Sequence, residues 1–198
     1  KTEDQNMFGH IGSSFKVILK NKSLLFLLLG CFILTSLGES MHQIKPLFLK
    51  FKELPIIYFG YFGTVIFGLS SLGHYIGHTV SEKLGNKKAL IFFATLSPFF
   101  GLAATLTHKY TAIIFLAIPS LFFGIRNVVI DYLFNKNIPS SHRATINSIN
   151  SLASAAGIAI FAPTIGYLAD LFTINTAFMI SIGIMLLTAP ILFSFIKE

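Results

Sequence analysis

The sequence predicts an all-α membrane protein with six transmembrane helices, and three observations carry that expectation. Apolar residues gather in six blocks of about 20 or more, each long enough to cross the ~30 Å hydrocarbon core of a bilayer. Charged residues make up 12% of the 198 residues and hydrophobic ones 54%; an average soluble domain carries roughly 25% charged residues. The mean hydropathy is +0.74, and such a surface cannot be covered in water. The blocks also outrun the ~10 residues of a membrane β-strand and lack its in/out alternation. A soluble enzyme and a disordered tail are therefore excluded as the main reading.

Taken in order, residues 1–22 are polar with an amphipathic patch. Ser13 and Ser14 are placed to cap a helix in which Phe15, Ile18 and Leu19 share one side while Lys16 and Lys20 take the other. Such a helix would lie on an anionic leaflet; a plain polar tail is the alternative. Residues 23–198 hold the bundle, with spans expected over 24–49, 56–80, 89–106, 111–133, 144–168 and 174–196. Pro46 falls near the far end of the first span, and five glycines (Gly60, Gly63, Gly68, Gly73, Gly77) stud the second. The connections are short and leave no room for a soluble domain. The first block is too long for a signal peptide and no small-residue cleavage site follows it. The single cysteine, Cys31, lies inside that block and excludes an intrachain disulfide framework. A chain that opens at Lys1 rather than Met is expected to be a fragment or a processed product.

Lysines and arginines orient the spans. With residue 1 on the cytoplasmic side, that side collects Lys1, Lys16, Lys20, Lys22, Lys83, Lys87, Lys88, Lys136, Arg143 and Lys197. The opposite side receives Lys45, Lys50, Lys52 and Lys109, and Arg126 lies within the fourth span. The positive-inside rule then puts both termini in the cytoplasm. This bias accounts for the net charge of +7 without nucleic acid as a partner, and no soluble segment interleaves basic with aromatic residues.

Between the second and third spans the chain reads Gly77-His-Thr-Val-Ser-Glu82-Lys83-Leu-Gly85-Asn-Lys87-Lys88. This resembles the cytoplasmic loop signature of the major facilitator superfamily, in the weaker copy found in the C-terminal half. Glu82 falls on the acid, Lys83 on the following base, Gly85 on the turn glycine and Lys87 on a trailing base. His78 stands where the first glycine would be and Asn86 replaces a base. The run from Ile138 through Arg143 to Leu152 resembles the start of the eleventh helix in bacterial drug-efflux-type members. Gly157 to Tyr167, with Pro163 and Gly166, loosely echoes the antiporter motif of the fifth helix, and Asp170 follows at the exit. The resemblance spans essentially the whole chain. It implies the C-terminal half of a twelve-helix secondary transporter, with its six helices arranged as two inverted three-helix repeats and residues 1–22 from the central cytoplasmic linker. The missing N-terminal six-helix half, the lipid bilayer, a small-molecule substrate and protons are the implied partners, and no cofactor is implied.

Several intramembrane groups are candidates for work. Glu39 shares a helix face with His42 and Gln43 at i+3 and i+4. A charge inside a bilayer is costly and faces a cavity, so these three are read as a proton or cation site on the transport path. The alternative is a carboxylate near the outer interface, satisfied by Lys45 or water. Arg126 is read either as a gate or substrate counter-ion, or as a structural ion pair to another helix, with Glu82 as the example. Asp131 lies about 140° around the helix from Arg126 and is assigned, with Arg143, to the loop network that biases one conformation. His74, His78 and Glu82 recur at i, i+4 and i+8, a spacing that could present metal ligands, with a polar stripe as the plainer reading. Gly73 with Gly77, Ala153 with Gly157, and Ala155 with Ala159 are small-xxx-small pairs expected to pack helices, as are Pro163 and Gly166. Among the 22 phenylalanines, Phe67 and Phe123 are named as able to line an apolar pocket.

The expectation is therefore a multi-pass transporter of the cell membrane that exports a small amphipathic compound against protons by alternating access, with no covalent chemistry. Two other classes stay open: a self-contained six-helix carrier or channel acting as a homodimer, and an intramembrane metalloenzyme built on His74, His78 and Glu82.

Overall fold

The computed structural model describes residues 7–197. It is helical throughout: α1 (Met7–Lys20), α2 (Lys22–Phe51), α3 (Ile57–Leu84), α4 (Asn86–Leu106), α5 (Lys109–Asn137), α6 (Arg143–Leu171) and α7 (Ile174–Ser194). A short 3₁₀ turn, Ser140–His142, leads into α6. No strand occurs among the described residues. The six long helices match the six expected blocks to within a few residues at each end.

Five of them, α2, α4, α5, α6 and α7, are long and apolar enough to cross a membrane. α3 has 28 residues, about 42 Å at 1.5 Å per residue, but its tyrosines, glycines, serines and histidines leave no 18-residue stretch as apolar as those of the other five. α3 nonetheless runs the height of the bundle parallel to α5. Tyr58 near its start meets Tyr110 near the start of α5, rings edge-on at 6.0 Å, and its end turns directly into α4.

Specific contacts show which helix ends lie together. At one end the Lys197 N–H donates to Ser23 Oγ at 2.9 Å and Asn21 Nδ2 donates to the Asn137 carbonyl at 3.4 Å. That end holds the start of α2, the end of α5 and the end of α7. At the other end Lys52 Nζ donates to the carbonyls of Thr105 and Thr107 at 2.9 and 2.8 Å, tying the α2–α3 turn to the α4–α5 turn. The lysines of the two ends are thus segregated as the charge pattern expects.

The turns follow from local chemistry. Asn21 caps α2 by accepting the Leu24 N–H at 3.1 Å. α2 ends in a Schellman motif: the Leu54 and Glu53 N–H groups reach back to the Leu49 and Lys50 carbonyls, and Glu53 adopts φ 57° where glycine is usual. Leu54 is buried beside Leu49, the apolar contact that accompanies this turn. Between α3 and α4 only Gly85 intervenes, at φ 82°, a conformation that glycine reaches without a Cβ clash.

α1 corrects the capping expectation. The helix is already formed at Met7, so Ser13 and Ser14 lie in its middle and donate to the His10 carbonyl at 2.8 and 2.9 Å. A serine hydroxyl bonds back within a helix as readily as it caps one. The expected apolar side is also split: Ile18 is buried, whereas Phe15 and Leu19 are exposed. The buried Ser14 meets His142 Nδ1 at 2.9 Å, and His10 stacks on the His142 ring at 5.0 Å, so α1 is held at the start of α6.

Aromatic packing fills the core. Phe48 of α2 stacks on Phe178 of α7 at 4.8 Å, and Phe93 and Phe100 of α4 interlock with Phe122 and Phe115 of α5. α3 and α5 meet backbone to backbone through Gly73, Gly77 and Gly124. Wedged between these packed pairs is the space that holds the site.

Candidate functional site

A cavity of about 320 Å³ opens between α2, α3, α4, α5 and α7. That is the lower part of the range for small-molecule sites, roughly 300–1,000 Å³. α2 supplies a stripe of one face: Cys31, Leu34, Thr35, Gly38, Glu39, Met41, His42 and Lys45. From Cys31 to Lys45 is about 21 Å along the helix axis, so the cavity is tall. α5 supplies the facing stripe of Leu116, Pro119, Ser120, Phe123, Arg126, Asn127 and Ile130. Ile66, Phe67 and Ser70 come from α3, Ser97, Pro98 and Gly101 from α4, and Phe178, Ile182 and Met185 from α7. The walls are mostly apolar, with a few polar groups set into them.

Of the proposed pathway residues, Glu39, His42 and Arg126 share this cavity. Gln43 does not. It is exposed on the outside of α2, because the 40° between i and i+4 carries it past the edge of the lining stripe. Lys45 Nζ donates to His42 Nδ1 at 3.0 Å and lies 5.6 Å from the Phe62 ring centroid. Glu39 makes no hydrogen bond or ion pair among the described residues, and His42 and Lys45 follow it on the same wall.

Arg126 is 7% exposed, and its Nε and Nη1 are buried without a hydrogen-bond partner. The suggested structural pairing with Glu82 is not formed. Glu82 lies instead against His78, 3.5 Å away on the exposed side of α3. The physical reason is rotational: Gly73 and Gly77 take the face of α3 that touches α5, His74 at its edge meets the α5 ring of Phe123 at 6.4 Å, and His78 and Glu82 are exposed. Asp131 is exposed and lies off the cavity wall, although Asn127, one turn before it, is on it.

The remaining loop residues gather at the end that holds both the start of α2 and the end of α7. Lys83 is exposed beside Gly85, and Lys87 is half-buried in the first turn of α4. Arg143 Nη2 donates to the Asn135 carbonyl at 3.2 Å, bracing the α5–α6 connection. In α6, Gly157 lies against Ser36 and Phe32 of α2, where a Cβ would not fit. Gly166 faces open space, Ala155, Ala159, Pro163 and Asp170 are exposed, and none of these packs α6 onto the bundle. Within this chain, then, the packing expected of α6 is made by Gly157, while Gly166, Pro163 and the Ala155–Ala159 pair stay open.

The metal reading loses its geometry. His74 donates from Nδ1 to the Ser70 carbonyl at 2.8 Å, and among the described residues no group of three His, Cys, Asp or Glu side chains is arranged to hold an ion. Several wall residues had no sequence signal of their own: Thr35, Ser70, Ser97 and Ser120 are ordinary small polar residues in apolar blocks. Cys31 and Lys45 were readable in principle, since they lie two turns before Glu39 and just under two turns after it. Phe67 and Phe123, named on size alone, both line the cavity.

The family model of the Major Facilitator Superfamily matches residues 21–198, so α1 lies outside the match. Neither the curated proteins nor the solved structures contain a match to the chain.

Proposed function

The chain belongs to the major facilitator superfamily, and from that premise we propose that it is the C-terminal six-helix half of a proton-coupled exporter of small amphipathic compounds. It is a multi-pass membrane protein of a transporter family. The observation that carries the finer reading is the cavity itself, which brings Glu39, His42 and Arg126 together with apolar walls that include Phe67 and Phe123. A carboxylate in a low-dielectric cavity is a natural proton carrier, because burial and a changing set of neighbours move its proton affinity between states.

In this reading α3 crosses the bilayer with the other five long helices, the six form two inverted three-helix repeats, and both termini face the cytoplasm of the cell membrane. Residues 1–22 belong to the central linker. An N-terminal half covers the exposed flanks of α3 and α6, and the two halves rock about the cavity. Glu82, Lys83, Gly85, Lys87, Asp131 and Arg143 contact that half or the loops and bias one state. Glu39 carries the coupled proton, with His42 beside it on the cavity wall.

The experiment is proton-driven transport by the full transporter in membrane vesicles, comparing wild type with Glu39→Gln. The expected result is loss of the pH dependence of efflux. Unchanged efflux with unchanged pH dependence would remove Glu39 from the coupling.

A further inference from the structure

We infer that the cavity takes an organic anion, whose carboxylate or phosphate group is bound by Arg126 and whose apolar body lies along Phe123 and Phe67. This rests on reading the cavity as the substrate path. The first ground is charge. The cavity wall holds one carboxylate, Glu39, against two basic side chains, Lys45 and Arg126. Lys45 is already engaged, bonded to His42. Arg126 is not engaged.

The second ground is the state of the Arg126 side chain. Its guanidinium is more than nine-tenths buried, lines the cavity, and has two nitrogens that meet neither an acceptor nor solvent. The carboxylates that could have neutralised it lie elsewhere. Glu82 is against His78, and Asp131 is exposed off the cavity wall. Of the α2 residues on the wall, Cys31 is a buried thiol and not an acid. A buried cation with no partner is costly in a protein interior and is retained where a ligand supplies the missing charge. Guanidinium matches carboxylate and phosphate oxygens with paired N–H donors, a geometry that ammonium lacks.

The third ground is what surrounds it. Phe123 lies one turn before Arg126 on the same face of α5, and Asn127 follows it, so an apolar wall, a cation and an amide succeed one another along a single stripe. A monovalent anion brings the formal charge of the wall to zero. A cationic or neutral amphiphile leaves Arg126 buried and unpaired.

The test is ligand-induced thermal stabilisation of the purified full transporter in detergent at constant pH. Its probes are benzoate, phenyl phosphate, benzyl alcohol and benzyltrimethylammonium. Because no proton gradient is present, failure of proton coupling in the vesicle assay leaves this result standing, and the reverse also holds. The expected result is saturable stabilisation by benzoate, phenyl phosphate or both, and none by the neutral or cationic probe. Stabilisation by only one of the two anions identifies the carboxylate or the phosphate as the preferred group. Arg126→Gln should weaken anion binding roughly 10- to 100-fold, the range expected for charged hydrogen bonds, and Arg126→Lys should retain part of it. Stabilisation by the cation instead, no response to either anion in wild type, or an undiminished anion response in Arg126→Gln overturns the proposal. The wild-type comparison needs no variant to fold.

Discussion

α3 and α6 carry the same kind of sequence signal, small residues at four-residue spacing, and the structure uses them in opposite ways. On α3, Gly73 and Gly77 sit against α5, where Gly124 returns the contact from the other side; an added Cβ at Gly73 or Gly124 would meet backbone atoms. On α6 only Gly157 is used, against side chains of α2, while Ala155, Ala159 and Gly166 face outward. Burial records the same contrast between α6 and a core helix: 17% of the most apolar stretch of α6 is buried, against 56% in α2. Small residues permit close approach, but they do not say by whom. α3 spends them on a neighbour within this chain, and α6 leaves most of them open.

The largest effect that can break this comparison is at Gly124. A leucine there would collide with the backbone of Ser70, Gly73 and His74, and backbone cannot rotate aside as a side chain can. Overpacking a core by a few methylenes costs roughly 1–3 kcal/mol, and an obstruction made by backbone lies at or beyond the top of that range. Gly124→Leu should therefore abolish the monodisperse folded protein in detergent size-exclusion chromatography. A normal elution profile would mean that α3 and α5 are not packed through this glycine.

Gly157 gives an intermediate effect. Its neighbours are the Ser36 hydroxyl and the Phe32 ring, both of which can shift rotamer, and Ser36 also bonds the Ser154 carbonyl at 3.4 Å. Gly157→Ala should lower thermal stability by about 1–2 kcal/mol while leaving folded protein to measure. Stability equal to wild type would place α6 further from α2 than the structure has it.

How far the sequence could be read follows the same division between face and partner. Periodicity and block length sufficed for six helices and their ends, because both are local properties of the chain. Periodicity also put Glu39 and His42 on one face, and the charge of Arg126 inside a span marked it out; all three share the cavity. These signals failed wherever the answer depended on how a helix is rotated against its neighbours. Gln43 lay one step beyond the edge of its stripe. Glu82 met a histidine of its own helix rather than Arg126. Gly124, the reciprocal half of the α3–α5 contact, stood in no small-xxx-small pair with another glycine and so gave no signal. Ser13 and Ser14 show a different failure, since the same hydroxyl chemistry suits a cap and a helix interior, and only the position of the first helical residue separates the two.

The smallest effect on the bundle is expected at Gly166, and it is the one that sharpens the comparison most. A Cβ there meets nothing within 4 Å, so Gly166→Leu should change the thermal stability of the bundle by less than about 0.5 kcal/mol, as for substitutions clear of any packed contact. The same leucine stands on the face of α6 that the proposed N-terminal half covers. In the full transporter it should therefore reduce transport in vesicles while expression and melting temperature hold. The two readouts separate the possibilities: a stability loss comparable to that of Gly157→Ala would show that the outer face of α6 is packed within this chain. Unchanged stability with unchanged transport would show that no partner seats on it, and the contrast between α3 and α6 would then reduce to one helix that is tightly packed and one that simply faces lipid.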